Sequence, residues 1–214
     1  ASDVYKRQEF FLALIEILKA HNVAVLIDEV QSFGRTTQPF AFSHFGLDKH
    51  VDLVTVGKLT QVCATLFTDA YKPKPGLVSQ TFTASTSAIF ACDAILDELT
   101  TGDYFGQRGR IMQIHERFAS RLTAINDRHP GFIAGPFGIG TMIAFTVFDG
   151  SAQRTRDVLH SLFDAGVIGF LAGSNPTRIR FLPPVAVVTD DDIDAVCNIL
   201  ETVLVAAHKK QHTA

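Results

Sequence analysis

Residues 25–31 read VLIDEVQ and residues 51–58 read VDLVTVGK. Each stretch begins with the short apolar run that is typical of a buried strand, and each leaves a charged side chain at the end of that run, Asp28 in the first and Lys58 in the second. The first run directly follows a helical pattern, which is half of a parallel βαβ unit. Because ligands collect at the carboxyl ends of parallel strands, the pattern predicts a binding site that contains Asp28 and Lys58.

The N-terminal part of the chain alternates helical spacing with apolar runs, which predicts an α/β domain with a parallel-type sheet. Residues 1–8 are polar, show no relation to the helix that follows, and are excluded from the fold prediction. Besides the run at 23–27, the predicted elements are helices at residues 9–20, 86–99 and about 104–128 and strands at 51–56 and 64–67.

The pattern changes after Pro130, where short strands alternate with glycine-rich turns and fewer helices. The predicted elements are strands at residues 132–134, 141–148, 167–171 and 177–181 and helices at 152–165 and 190–207. This arrangement predicts a smaller α+β domain. We place the large domain at residues 9–110 and the small C-terminal domain, with its connecting helix, at residues 111–214.

Composition and charge exclude several classes of protein. The 214 residues carry a formal net charge of −3, which provides no basic surface for nucleic acid. No apolar run approaches the ~18 residues of a membrane span. The 3 cysteines are widely spaced, which indicates a reduced, cytoplasmic protein. The 8 histidines show no paired ligand spacing, so no metal site is expected.

Asp28 and Lys58 have two interpretations from the residues alone. In the first they form a buried ion pair, or are ordinary polar residues at strand ends. In the second they hold a pyridoxal phosphate ring, with Lys58 as the amine nucleophile and Asp28 on the protonated ring nitrogen. Spacing alone favours the first interpretation, because short motifs match by chance.

Longer motifs favour the second interpretation. The string LIDEVQSFGRT (residues 26–36), followed by VDLVTVGK, resembles the class III (ω-amino acid) aminotransferases of fold type I. Gln80-Thr81-Phe82 is similar to the Thr-Phe pair of that family, and residues 178–184 (RIRFLPP) are similar to its Arg-(x-x)-Pro-Pro segment. The resemblance covers about residues 9–207. It implies the C-terminal part of a fold type I transferase that uses pyridoxal 5′-phosphate.

The resemblance also implies a role for each matching residue. Lys58 matches the lysine that forms a Schiff base with the cofactor, and Asp28 matches the partner of its ring nitrogen. Gln31 matches the contact to the phenolic oxygen. Thr81 matches the phosphate ligand, which the neighbouring subunit of a homodimer supplies. Arg180 matches the arginine that holds a substrate carboxylate.

Three of these assignments have ordinary alternatives. Gln31 is also explained as a loop residue, Thr81 as a hydroxyl at a helix entry, and Arg180 as a surface residue of a strand. Arg178 offers a guanidinium that suits a carboxylate equally well.

The sequence departs from the family at several loops. The turn at residues 31–34 is one residue shorter, residues 83–86 replace a Gly-Gly-Asn-Pro segment, and residues 59–63 replace a glycine-rich segment. The Gln-Val-Cys within 59–63 is similar to lysine 6-aminotransferases. No Gly/Ser-rich phosphate turn or ring-stacking aromatic is found before Glu9. We therefore expect a C-terminal part of a longer protein that binds pyridoxal phosphate poorly by itself.

The implied function is the transfer of an amino group from an ω-amino or diamino acid, of the ornithine, lysine or 4-aminobutyrate kind, to a 2-oxo acid. A racemase or mutase of the same fold, or a non-catalytic chain that only dimerises, are the alternatives. A nicotinamide-binding domain is excluded because no Gly-x-Gly-x-x-Gly turn follows any predicted strand.

Overall fold

A computed structural model describes residues 2–78, 81 and 84–212 and, within these ranges, the side chains of residues 8–210. Contacts along the chain divide it into two compact units. The N-terminal unit is Ala1–Tyr104 and the C-terminal unit is Phe105–Ala214.

The N-terminal unit is built on a small mixed sheet. Its elements are the helices α1 (Ser2–Ala20), α2 (Ala41–His44) and α3 (Thr86–Thr101) and the strands β1 (Leu26–Asp28), β2 (Leu53–Val56) and β3 (Ala64–Phe67). Strands β1 and β2 pair in parallel, as predicted, whereas β2 and β3 pair in antiparallel. Strand β3 runs in the opposite direction because residues 57–63 alone connect it to β2, and a parallel crossover needs about a dozen residues or more.

Helix α1 extends the predicted helix towards the N-terminus. It begins at Ser2, so most of the polar segment excluded from the fold prediction is helical. Hydrophobic spacing could not indicate this turn of helix, because a polar segment without an apolar stripe gives no periodic signal. Ile15 of α1 is buried together with Val25 and Leu47. Asp52, at the entry to β2, accepts a hydrogen bond from the Val25 backbone N–H at 2.7 Å.

The C-terminal unit is an antiparallel sheet covered by helices, and its α+β character agrees with the prediction. Its elements are α4 (Arg110–Arg128), β4 (Ile133–Ile139), β5 (Met142–Val147), α5 (Ala152–Asp164), β6 (Phe170–Ala172), β7 (Arg178–Phe181) and α6 (Asp190–His212). The strand order is β4-β5-β7-β6, and each neighbouring pair is antiparallel. Helix α4 begins at Arg110 rather than near residue 104, because Gly106 and Gly109 lie in the predicted first turns and glycine disfavours helix.

Strand β4 is longer than the predicted strand at residues 132–134. Gly135-Pro136 directly follows the predicted strand, and proline cannot donate to a sheet ladder. In the structure β4 is an edge strand, and its pairing with β5 shifts register between Ala134 and Phe137. An irregular edge strand tolerates the proline, so the strand resumes and continues to Ile139.

One apolar cluster forms the core of the C-terminal unit. Helix α4 buries Ile114, Phe118 and Leu122 against the sheet. Along β7 the pattern alternates, so that Ile179 and Phe181 are buried whereas Arg178 and Arg180 are half-buried. Since successive side chains of a strand point to opposite faces, both arginines lie on the outer face of this sheet.

Candidate active site

The carboxyl ends of β1 and β2 bring Asp28 and Lys58 to one edge of the N-terminal sheet. Asp28 is the last residue of β1 and pairs with Thr55 of β2. Lys58 follows the last residue of β2 after Gly57 alone. Because the two strands are parallel, their carboxyl ends share an edge.

The Asp28 carboxylate is held in its ionised form. Its Oδ1 accepts hydrogen bonds from the Val30 backbone N–H at 3.0 Å and from the Thr55 hydroxyl at 3.0 Å. The Val30 hydrogen bond, followed by that from Thr55 and by the charge of Lys58, lowers the pKa of Asp28 below its ordinary value. Both hydrogen bonds reach Oδ1, and no described residue donates to Oδ2. Asp28 thus presents an anionic acceptor to solvent.

The Lys58 backbone is fixed while its side chain is exposed. Lys58 begins a 3₁₀ turn, Lys58–Thr60, and Gln61 closes it in the left-handed conformation at φ +58°. The buried Thr60 hydroxyl contacts the Gly57 carbonyl and, at 2.6 Å, the Val62 carbonyl. Asp28 and Lys58 are both exposed and form no direct ion pair, so the interpretation as a buried ion pair is wrong.

A neighbouring carboxylate, Glu29, supports this edge and was missed by the sequence analysis. Glu29 is fully buried, its Oε1 accepts a hydrogen bond from the Phe42 backbone N–H at 2.9 Å, and its Oε2 accepts one from the Ser32 hydroxyl. Its own backbone N–H donates to the Thr55 carbonyl at 2.8 Å. The alternation of side chains along a strand could have indicated the burial of Glu29. If Asp28 faces outward, the next residue, Glu29, points to the opposite face of the sheet. Glu29 ties the turn after β1 to α2.

Thr55 is a second supporting residue that the sequence analysis did not single out. Its hydroxyl donates the hydrogen bond to Asp28, and it stands in the middle of the apolar run VDLVTV. The hydroxyl of Thr55 among apolar side chains is the feature of the sequence that could have indicated its role.

The other predicted site residues lie in three different settings. Gln31 is half-buried in the turn that follows β1. Thr81 is exposed in a bend. Arg180 belongs to the C-terminal unit, where it pairs with Ala144 of β5 and Phe170 of β6. The structure thus places Asp28 and Lys58 at the carboxyl ends of adjacent strands and Gln31 on the turn that follows β1.

The described residues also bear on metal sites and membrane spans. Across residues 2–78, 81 and 84–212, no cluster of three or more His, Cys, Asp or Glu side chains has the arrangement of a metal site. In that same part of the chain, none of the helices combines the length and the apolar character needed to cross a membrane.

The chain belongs to the class III aminotransferase family, since the family model described as aminotransferase class-III matches residues 2–204. It is 27% identical over 187 residues to a succinylornithine transaminase of Citrobacter koseri, which covers 81% of this chain and 43% of that protein. The lysine aminotransferase of M. tuberculosis superposes with a TM-score of 0.78 at 25% identity, over 94% of this chain and 46% of that one. The N-acetylornithine aminotransferase of Stenotrophomonas maltophilia, at 21% identity, shares the fold with a TM-score of 0.73, over 92% of this chain and 51% of that one.

The family match confirms the resemblance found in the sequence motifs. The chain spans about half the length of the relatives that it matches. Class III aminotransferases depend on pyridoxal 5′-phosphate. The groups at the edge of the N-terminal sheet fit such a cofactor, because an exposed primary amine and an ionised carboxylate with an open oxygen lie at the carboxyl ends of adjacent strands.

Proposed function

We propose that this chain supplies the cofactor-binding lysine of a transaminase that moves an amino group from an ω-amino or diamino acid to a 2-oxo acid. The observation that carries the proposal is the placement of Lys58 and the ionised Asp28 at one edge of two parallel strands. In an open α/β sheet, this edge is where ligands bind.

Each residue of the site has a distinct task in this proposal. Lys58 would hold pyridoxal phosphate through its amine, and Asp28 would accept a hydrogen bond from the ring nitrogen through Oδ2. Gln31 would contact the phenolic oxygen of the cofactor. When bound, the cofactor supplies an electron sink for the charge that a departing proton leaves on the substrate carbon. Lys58 Nζ takes that proton and returns it, as a general base and then a general acid.

Arg180 is proposed to bind the carboxylate of the amino acid or oxo acid. Its planar guanidinium can donate two parallel hydrogen bonds to a carboxylate. The proposed donors are ornithine, lysine and 4-aminobutyrate, which is supported by similarity to proteins named succinylornithine transaminase and lysine aminotransferase. A panel of these donors, assayed with the whole protein and 2-oxoglutarate, would identify the substrate through the oxo acid or aldehyde formed.

Trapping of the cofactor tests the role of Lys58 directly. The whole protein is incubated with pyridoxal phosphate and reduced with borohydride, and the labelled peptide is identified by mass spectrometry. We expect the pyridoxyl label on Lys58, no label at this peptide in Lys58→Ala, and an unchanged label at Lys58 in Lys72→Ala, which removes an exposed lysine. A label spread evenly over the exposed lysines would contradict the proposal.

Thr81 is proposed to bind the cofactor phosphate of a second subunit in a homodimer, a role that its exposed side chain permits. Mixed dimers of Lys58→Ala and Thr81→Ala would then contain one site with both native residues. We expect the mixture to bind more cofactor than either variant alone. Equal binding by the mixture and by the separate variants would place Thr81 outside the partner's site.

A further inference from the structure

The outer face of β7 carries two arginines that are two residues apart. Arg178 and Arg180 are half-buried, whereas Ile179 and Phe181 between and after them are buried in the core. Residues two apart on a strand lie on one face, with their Cα atoms about 7 Å apart. Two guanidinium groups therefore project from the same face of this sheet.

Small residues lie beside part of the arginine pair. Arg180 pairs with Ala144 on β5, and Arg178 pairs with Ala172 on β6. Arg180 also pairs with Phe170 on β6. The Arg178 side chain packs beside Gly173, where a Cβ would lie 3.4 Å from Arg178 Nη1.

Two phenylalanines flank the pair. The Arg178 guanidinium lies 4.8 Å from the centre of the Phe137 ring, and that of Arg180 lies 5.9 Å from the centre of the Phe170 ring. Cation–π contacts of this kind orient a guanidinium without neutralising its charge. Phe137 and Phe170 are 42% and 50% exposed, so the face between them is accessible.

Arg178 has no acidic partner in the described part of the chain, and its Nε is buried without a hydrogen-bond acceptor. The arginines of α4 differ, since they pair with acids of α6 as Arg110–Asp190, Arg117–Asp194 and Arg128–Glu201. A cation that has lost part of its hydration without gaining an anion is costly. An anionic ligand would supply the negative charge that Arg178 lacks as a partner.

We propose that Arg178 is a second substrate-binding residue, which binds the distal carboxylate of a dicarboxylic substrate whose first carboxylate is bound by Arg180. This inference rests on the proposed function, since it takes the role of Arg180 from it. The planar fork of each guanidinium matches one carboxylate, so the pair selects a ligand with two carboxylates over a ligand with one. Arg178 thereby becomes a specificity-determining residue.

Carboxylate binding to the chain tests the inference without cofactor or turnover. The arginine side-chain signals are followed by NMR while glutarate, with two carboxylates, or butyrate, with one, is added. We expect the Arg178 Nε–H signal to shift with glutarate and not with butyrate. Arg178→Gln is expected to weaken glutarate binding by about tenfold, which corresponds to one lost charge-assisted hydrogen-bond pair, and to leave butyrate binding unchanged.

Two further variants and one further ligand distinguish a failure of this inference from a failure of the proposed role of Arg180. Arg156→Gln removes an exposed arginine of α5 and is expected to change neither affinity. Equal weakening of glutarate and butyrate in Arg178→Gln, or an equal Arg178 response to inorganic phosphate, would overturn the inference. If Arg180→Gln weakens both ligands while Arg178→Gln weakens neither, the inference fails and the proposed role of Arg180 stands. If Arg180→Gln changes neither affinity, both fail.

Discussion

At the scale of single residues, the candidate site depends on buried groups as much as on exposed ones. Glu29 is fully buried and accepts hydrogen bonds from the Ser32 hydroxyl and the Phe42 backbone N–H. These contacts hold the turn after β1 in place, and Gln31 lies on that turn. A buried carboxylate with satisfied acceptors can thus position a site that it does not enter.

Loss of the Glu29 acceptors is expected to destabilise the chain. Glu29→Ala leaves a buried N–H and a hydroxyl without partners, which costs about 1–3 kcal/mol for each group left unsatisfied. Glu29→Gln keeps one acceptor oxygen and is expected to cost less. Urea unfolding measures both changes, with Glu16→Gln on the exposed face of α1 as the control. A Glu29→Ala variant as stable as the control would show that the loop is held by other contacts.

At this scale the sequence predicted some residues and missed others for physical reasons. Asp28 and Lys58 could be proposed as site residues from the sequence because a charged residue that ends an apolar run is a local pattern. Glu29 was missed because its partners, Ser32 and Phe42, become its neighbours only through the fold of the turn. The interpretation of Asp28 as half of a buried ion pair was wrong, because burial is a property of the whole sheet and the residue is exposed.

At the scale of elements, the β4–β5 hairpin depends on a glycine that permits close approach of two backbones. Gly138 has φ +108°, and a Cβ there would lie 1.9 Å from the Met142 carbonyl oxygen. The sequence indicated a glycine-rich turn here, yet it could not indicate a contact between two strands. The register between β4 and β5 supplies that contact.

Gly138→Ala is therefore expected to destabilise the C-terminal unit. The matched control is Gly131→Ala, because Gly131 also has a positive φ, +85°, but has open space around its Cβ position. Gly131→Ala is expected to lose only the about 1–2 kcal/mol of stability that backbone strain costs. Gly138→Ala is expected to lose this amount and, in addition, the cost of separating the two strands. Thermal unfolding of the two variants measures the difference. Equal losses would mean that the hairpin adjusts to the added methyl group.

Helices α4 and α6 are joined by ion pairs whose strength depends on pH. The hydrogen bond from Arg117 lowers the pKa of Asp194, and that from Arg128 lowers the pKa of Glu201. A carboxylate with a lowered pKa in the folded state stabilises the fold above its ordinary pKa. That contribution is lost as the pH falls through the lowered value.

We expect Asp194→Asn to reduce the acid sensitivity of unfolding. The urea concentration at the unfolding midpoint of the native chain should decrease as the pH is lowered from about 5 to about 2. The midpoint of the variant should decrease less over the same range. The effect is expected to be small, because Arg117 and Asp194 are partly exposed to solvent. Asp164→Asn, at the exposed end of α5, is the control. Identical pH profiles for native chain and Asp194→Asn would remove this pair from the acid response.

At the scale of the whole molecule, the two units bury different amounts of apolar surface. The core cluster of the C-terminal unit contains 19 buried residues, all between Ile114 and Leu204. In the N-terminal unit, by contrast, Phe10, Leu26 and Phe90 are each more than half exposed. The fold class was predictable because the order of helices and strands is local information. The extent of burial in each unit was not, because it depends on which faces meet.

The C-terminal unit is expected to fold by itself. A piece that contains residues 105–214 should unfold cooperatively in urea with native-like helix content by circular dichroism. A piece that contains residues 1–104 should unfold without a cooperative transition or aggregate, because it exposes large apolar side chains. A cooperative transition in both pieces would show that the N-terminal unit has a sufficient core of its own.

The short loop between β2 and β3 restrains the position of Lys58, which affects the rate of the proposed reaction. Val56 pairs with Ala64, so the backbone on either side of Lys58 is pinned a few residues away on both sides. A short closed loop samples few conformations, and the entropy of ordering it is lost on folding rather than on binding. In the proposed reaction this gives the Lys58 amine a high effective molarity at the reacting carbon. Lengthening this loop would lower the effective molarity of the Lys58 amine without changing any residue of the site.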